Sequence, residues 1–432
     1  MKKEFIEIIN QHASKGKELG FYHLMTEDDH FDGRIITVNG KPFKFFSSCS
    51  YLGLETNEKM KQAAIEAVLK YGTQFSSSRM TVSMGMYEEI ESLLGEIMGK
   101  PVYLAPTTSL GHIAIIPTIM DENDAIIMDQ QVHNSVKNAV QMVKPEGVHT
   151  EIIKHNRLDY LETRIQILRQ NYSRVWYMAD SVYSMYGDVA PFGEIYDFLN
   201  KYEQFHLYVD DAHGMSWSGK HGRGYVLSKI PYHPRMIVTS SLAKGFGSCG
   251  GLLSFYDEEQ KTLIRNASSP SIFSGPLQPA VLGASIASAK IHLSDEIETL
   301  QDNLFERIFY FTQTAARFSV PVIQKDMTPI FFVAIGKKEV NYKLSHVLMD
   351  AGYYCMNTVF PAVPMKNSGL RITVTNHITL KDIEGILSTI AEALPRIMEE
   401  ENYSMEEIYR DFGIAPPTRD IIEQPFERRK IA

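Results

Sequence analysis

Lys244 stands in the stretch TSSLAKGFGSCGG, residues 239–251, directly after an apolar run and before a cluster of glycines. The run MIVTSS has the composition of a strand buried on both faces, and the glycines keep side chains away from the amine. A lysine held near apolar surface and other cations keeps its proton less well, and its amine can then attack a carbonyl and hold it as a Schiff base. A solvated surface lysine is the ordinary alternative. Upstream, FHLYVDDAHG sets Asp210 and His213 at the carboxyl end of a second apolar run, where open α/β sheets bind their ligands. A carboxylate there can keep a pyridine nitrogen protonated and make the ring an electron sink. Paired with a carbonyl-reactive lysine, it points to pyridoxal 5′-phosphate (PLP) as cofactor.

Further residues fit the same chemistry, each with a plainer reading beside it. Asp210 alone reads more readily as a helix cap or loop acid, but it is joined by a lysine and a histidine. His213 suits a hydrogen bond to the ring hydroxyl or substrate, or a satisfied loop histidine. His133, in DQQVHNS after the run DAIIMD, could stack on a flat ring or be structural. Thr107, Thr108 and Ser109 precede the helical GHIAIIPTIM, so their hydroxyls and backbone N–H groups could hold a phosphate or serve as caps. Ser241 would add a hydroxyl to the same anion. Arg371, in the apolar LRITVTN, demands an anionic partner, either a substrate carboxylate or a structural salt bridge.

These residues need a scaffold, and the chain of 432 residues is long enough for two or three domains. Seven runs, PVYLA, DAIIMD, GVHTEIIKH, RVWYMAD, FHLYVDD, MIVTSS and GGLLSFY, alternate with helical stretches and predict a mainly parallel sheet with right-handed crossovers. Before them come an amphipathic helix, a hairpin turning at Asn39-Gly40, and helices over EKMKQAAIEAVLKYG and MYEEIESLLGEIMG. Beyond about residue 290, a long helix, short strands PIFFVAIG, YYCMNTVF and LRITVTN, and a final helix opening at Thr379 predict a smaller α+β domain. The division expected is an N-terminal segment 1–45, a large domain 46–295, a small domain 296–400 and an extension 401–432, docked or partly mobile.

Apolar and charged fractions of 44% and 22% fit a soluble globular protein, and a formal charge of -9 argues against nucleic acid or anionic membrane as the main partner. Cys49, Cys249 and Cys355 show neither a disulfide framework nor metal-ligand spacing, which suggests the cytoplasm. No signal peptide or membrane span is evident. Nor is a clear basic cluster for a nucleotide phosphate.

From about SSCSYLGL to LRITVTNH the chain resembles the α-oxoamine synthase family of PLP enzymes, which join an amino acid to an acyl thioester with loss of carbon dioxide. VDDAHG followed by GKHGRG is the most specific part, and SVYSMYGDVAPF resembles another family block. The resemblance implies a fold-type I PLP-dependent transferase, with a mainly parallel seven-stranded sheet, a smaller C-terminal α+β domain, and a homodimer whose active sites lie at the subunit interface. Residue by residue it assigns Lys244 to the Schiff base, Asp210 to the pyridine nitrogen and His133 to stacking on the ring. Ser184 and His213 match contacts near the ring hydroxyl, Ser241 a phosphate-binding threonine, and Thr108-Ser109 the Gly-aromatic pair at the phosphate. Arg371 matches the arginine associated with the amino-acid carboxylate. FSGPLQPA, with Ser274, resembles the segment that reaches into the partner's site.

Four departures fall on the substrate side. Cys49 stands where the family has asparagine, Gly275 where it has threonine, Val359 where it has arginine and Ala362 where it has threonine. The resemblance thus implies decarboxylative condensation of a small amino acid with an acyl thioester, carried by coenzyme A or a carrier protein, to give an α-aminoketone. Another PLP reaction on the same scaffold, such as transamination or aldol cleavage, and a non-catalytic partner subunit are the alternatives.

Overall fold

Asn39 and Gly40 both take positive φ, 52° and 70°, as the two-residue turn of a tight hairpin requires. They join β1 (Ile35–Val38) to β2 (Lys41–Phe45), after an N-terminal helix Lys2–Glu18. The computed structural model describes residues 2–323 and 326–414, so most of the C-terminal extension, residues 415–432, lies outside the described residues. Two compact units are formed. One gathers the residues up to Tyr51, Met185–Asp188 and the described residues from Asp302 onward; the other holds Leu52–Ser184 and Val189–Gln301.

All seven apolar runs of the larger unit form strands of a single sheet. They are β3 (Val102–Ala105), β4 (Asp124–Asp129), β5 (His149–Ile153), β6 (Arg174–Asp180), β7 (Phe205–Asp210), β8 (Met236–Ser241) and β9 (Gly251–Ser254). Their order is β3-β9-β8-β7-β6-β4-β5, with β9 running against both of its neighbours and the other six strands sharing one direction. Side chains alternate between the two faces of the sheet along each strand. Ala125, Ile127, Val175, Tyr177, Leu207 and Val209 enter the core on one face. Ile126, Met128, Trp176, Met178 and Tyr208 enter the core on the other, against the helix Thr108–Ile119. Two covered faces explain why the strands read as nearly unbroken apolar runs.

The other unit carries β10 (Ile330–Gly336), β11 (Tyr353–Tyr354), β12 (Met356–Thr358) and β13 (Ser368–Thr373). β13 pairs with β10 and β12 in an antiparallel sheet. The run YYCMNTVF, expected as one strand, divides at buried Cys355: β11 pairs in parallel with β2 and β12 joins β13. A single apolar run therefore serves two sheets. The helix Leu380–Glu400 opens on a reciprocal capping box between Thr379 and Asp382 and buries Ile383, Ile386, Leu387, Ile390 and Leu394. A further helix, Met405–Phe412, is capped in the same way by Ser404 and Glu407. Among the described residues no helix is long and apolar enough to cross a membrane.

Ile127 has no exposed surface and lies on β4, a strand of the larger sheet paired on both sides. Ile127→Ala should cost about 2–5 kcal/mol, read as a lower urea midpoint with an unchanged slope.

Candidate active site

Topology gathers the chemistry at one end of the larger sheet. The six parallel strands present their carboxyl ends together, where β6 and β7 end on Asp180 and Asp210 and the loops that leave β4 and β8 carry His133 and Lys244. Thr108, Ser109, His133, Asp210, His213, Ser241 and Lys244 all line one cleft of about 200 Å³. Thr107 lines it too, so eight of the residues expected from sequence are brought together, and Asp180 and Cys249 join them.

Lys244 owes its place to β9 running backward. Because β8 and β9 are antiparallel, a tight loop can join them in place of a helical crossover. Leu242 donates to the Gly250 carbonyl at 3.0 Å, Ser248 to that of Leu242 at 2.8 Å, and Gly247 to that of Lys244 at 2.8 Å. Gly247 takes φ of 75°, and a Cβ there would lie 2.6 Å from the Leu54 Cβ and 2.8 Å from its carbonyl carbon. Only glycine closes this turn without displacing the chain.

The opposite end of the cleft is the start of the helix Thr108–Ile119. Thr107 caps it by accepting from the Leu110 N–H at 3.1 Å, and the Thr108 hydroxyl donates to the Ser240 carbonyl at 3.0 Å. The Thr108 proton is therefore used within the fold, whereas Thr107, which only accepts, keeps its O–H to donate, so the donors open to an anion are the backbone N–H groups of the first turn with Thr107, Ser109 and Ser241. Gly251 permits this approach, since a Cβ there would stand 2.6 Å from the backbone of Thr107 and Thr108.

Asp210 is the electrostatic centre. Its Oδ2 meets His112 Nε2 at 3.0 Å and its Oδ1 accepts from the Ala212 N–H at 3.1 Å. Burial alone would push this carboxyl up, but the His112 hydrogen bond and the charges of His112, Lys244 and His133 hold it well below the usual range, ionised. His112 Nδ1 meets the Tyr208 hydroxyl at 2.8 Å. An ionised carboxylate can only accept, so Nε2 bears a proton and, in the neutral ring, Nδ1 accepts from Tyr208.

Two neighbouring acids behave in the opposite way. Asp180 lies level with Asp210 on the adjacent strand and receives the His133 N–H at 2.9 Å. Burial, and then the charge of Asp210, drive its carboxyl far above the ordinary value. Asp211, on the other face, accepts from Ser181 Oγ and is pushed up to about 8, chiefly by burial. Cβ atoms at Gly214 and Gly224 would each fall 2.0 Å from its carboxylate oxygens, so two glycines enclose it. His133 caps the helix Asn134–Val143, with Nδ1 2.6 Å from Ser135 Oγ. Its basicity is lowered by partial burial and by Lys244 and His112, against the pull of Asp210.

Ser184 sits in the turn after β6, and Ser274 just past the short helix Ser269–Phe273; neither lines the cleft. Arg371 and Cys49 belong to the other unit, where Arg371 Nη2 meets Cys49 Sγ at 3.7 Å. Arg371 is 6% exposed on β13, the central strand of its sheet. Sequence reasoning missed His112 and Asp180. The available signal was a histidine inside the apolar helix GHIAIIPTIM, which must find a polar partner if buried.

The donor set fits PLP. An ionised, sheltered carboxylate suits a protonated ring nitrogen, the half-buried Lys244 amine suits an aldehyde, and the glycine-admitted helix start suits a phosphate. The aminotransferase class I and II family model matches residues 46–390. The 8-amino-7-oxononanoate synthase of Fervidobacterium nodosum is 31% identical over 389 residues, covering 88% of this chain and 95% of that protein. The enzyme of the same name from Thermoanaerobacter pseudethanolicus is 29% identical, again over 88% and 95%. A serine palmitoyltransferase from S. paucimobilis, solved with PLP and myriocin bound, superposes with a TM-score of 0.83 at 21% identity, covering 91% of this chain and 98% of that one.

His112→Phe should leave the fold intact and lower turnover about 10- to 150-fold, the equivalent of one charge-assisted hydrogen bond of about 1.5–3 kcal/mol. Measured turnover, with the pH dependence of the cofactor-bound visible absorbance, checks it. Asp211 gives a pH signature. Its folded value lies above its unfolded value of 3.8, so the folded state binds the extra proton and stability falls as pH rises from about 4 through about 8. Asp211→Asn, which cannot ionise, should remove that part of the decline in urea midpoints between pH 6 and 9.

Proposed function

The chain belongs to the aminotransferase class I and II family and within it to the α-oxoamine synthases, and we propose that its cleft joins a small amino acid to an acyl thioester with loss of carbon dioxide. The observation that carries this reading is the convergence of Lys244, an ionised Asp210 and a helix start on one cleft, in a chain 31% identical to an 8-amino-7-oxononanoate synthase over most of its length. The reaction takes an amino acid and an acyl thioester and returns an α-aminoketone, carbon dioxide and a free thiol.

When bound, PLP supplies an electron sink for charge that develops at the amino acid's α-carbon. Lys244 would hold it covalently, Ser109, Ser241 and the first turn of the helix Thr108–Ile119 would bind its phosphate, and Asp210 would bind its ring nitrogen. Lys244, its amine freed, would then act as the base that takes the α-proton. Asp210 stays negative through the reaction because His112 fixes its orientation and its hydrogen bonds. His133 shields one face of the cleft, and its backbone N–H ties that loop to Asp180. His213 serves the ring hydroxyl or the substrate. Ser184 and Ser274 are assigned supporting contacts, Ser274 in the site of a partner subunit.

Arg371 receives the amino-acid carboxylate, with Cys49 beside it. The protein acts as a cytoplasmic homodimer, and its acyl donor is coenzyme A or a carrier protein.

Lys244→Ala should abolish the visible absorbance of the cofactor-bound protein and cut turnover by about 10²- to 10⁴-fold. Incubating the PLP-loaded protein with glycine, alanine or serine and an acyl thioester should release carbon dioxide and free thiol in equal amounts. Conversion of the amino acid with neither product would replace condensation by transamination.

A further inference from the structure

We infer that the larger unit carries a second small-molecule site, for a phosphoryl oxyanion, at the amino-terminal edge of its sheet. The cavity there measures about 410 Å³, and Lys100, Arg223 and Lys229 line it together. No aspartate or glutamate is among its lining residues. It lies at the opposite edge from the Lys244 cleft. Lys100 immediately precedes β3, Tyr232 precedes β8, and Ser254, where β9 ends, pairs with Val102 and Val238; each marks the starting edge of the parallel strands.

Ordinary structural roles account for part of this charge and not for all of it. The helices Gly85–Met98 and Tyr225–Lys229 end at the cavity, and cations near helix C-termini offset their partial negative charge. Lys100 Nζ also lies 3.6 Å from the centroid of the Tyr256 ring and 5.9 Å from that of Tyr232, held by aromatic faces. Tyr232 is itself fixed by its hydroxyl, which donates to the Ser254 carbonyl at 2.7 Å. Arg223 is different. Its Nε is buried and makes no hydrogen bond, an orphaned charged donor that neither a helix end nor a ring satisfies.

The local backbone confines Arg223. It stands between Gly222 and Gly224, at φ of 68° and 105°, and a Cβ on Gly219 would come within 3.2 Å of its Cγ. This is the GRG of GKHGRG, a motif the Lys244 chemistry does not use. A guanidinium presents a planar fork suited to two oxygens of one phosphoryl group, and a lysine adds a point charge beside it. Met98, Leu227 and Ile230 supply an apolar wall, which suits a phosphate carried on an organic body. The three cations come from positions 100, 223 and 229, so no basic run marks the site in the sequence.

The test uses the PLP-loaded protein, titrated calorimetrically with inorganic phosphate and, separately, with adenosine monophosphate at constant ionic strength in chloride. Saturable binding of either is expected, with Lys100→Gln and Arg223→Gln each weakening it tenfold or more while visible absorbance stays unchanged. Tighter binding of the nucleotide identifies an organic phosphate as occupant; equal binding identifies the phosphoryl group alone. If Arg223→Gln does not fold, Lys100→Gln and Lys229→Gln carry the comparison. Failure of both anions to saturate above the chloride control, or variants that bind as the parent does, would overturn the site.

Discussion

The bond between His112 and Asp210 is the contact on which the active cleft depends. A carboxylate buried at the end of a central strand is costly to keep charged, and its own desolvation favours the neutral acid. Three acids meet at adjacent strand ends here, Asp180, Asp210 and Asp211, and they cannot all ionise in so little solvent. Their partners decide which one does. Asp210 has an imidazole, a backbone N–H and the nearby Lys244 amine. Asp180 has one backbone N–H and faces the negative charge of Asp210, while for Asp211 the Ser181 hydroxyl and the backbone N–H groups of Tyr225 and Val226 do not offset its burial. Asp129, at the end of β4, is separately held ionised by His155; among these three the negative charge falls on Asp210.

That charge is useful because the strands deliver the other groups to the same end. The reversal of β9 matters as much as the parallel strands do. A parallel successor to β8 would have required a helical crossover, whereas an antiparallel one leaves room only for the loop 242–250, which holds Lys244 through three backbone hydrogen bonds. Gly251 then lets the start of the helix Thr108–Ile119 pack against the first residue of β9. Lys244 and the start of that helix thus reach the cleft through one short loop and the strand that follows it.

The seven strands were legible because burial on both faces leaves a local trace, a nearly unbroken apolar run. The hairpin at Asn39-Gly40 and the capping box at Thr379 were legible for a similar reason, since each is written within a few residues. His112 was not. Its role exists only because the helix carrying it covers the face toward which Tyr208 and Asp210 point, nearly a hundred residues later. Asp180 was hidden likewise, its meaning coming from register with Asp210 across two strands. Thr107 and Thr108 were visible as polar residues at a helix start, but sequence could not apportion their hydroxyls between ligand and scaffold. Cys355 shows the limit most simply, because nothing in YYCMNTVF says that its two halves pair with different sheets.

Cys49 and Arg371 suggest how the substrate side differs from the family pattern. The resemblance places asparagine at position 49, and an amide oxygen there would be a strong acceptor for a guanidinium. A thiol is a weak one, and the 3.7 Å contact to Nη2 is correspondingly loose. Arg371 is buried on the central strand of its sheet, so it has little water to turn to. Tyr51, fully buried in the same unit, gives the guanidinium a second neighbour, its hydroxyl oxygen accepting from Arg371. The guanidinium is therefore held by a phenol and a weak thiol where the family pattern would supply an amide, a change of chemistry confined to its immediate neighbours.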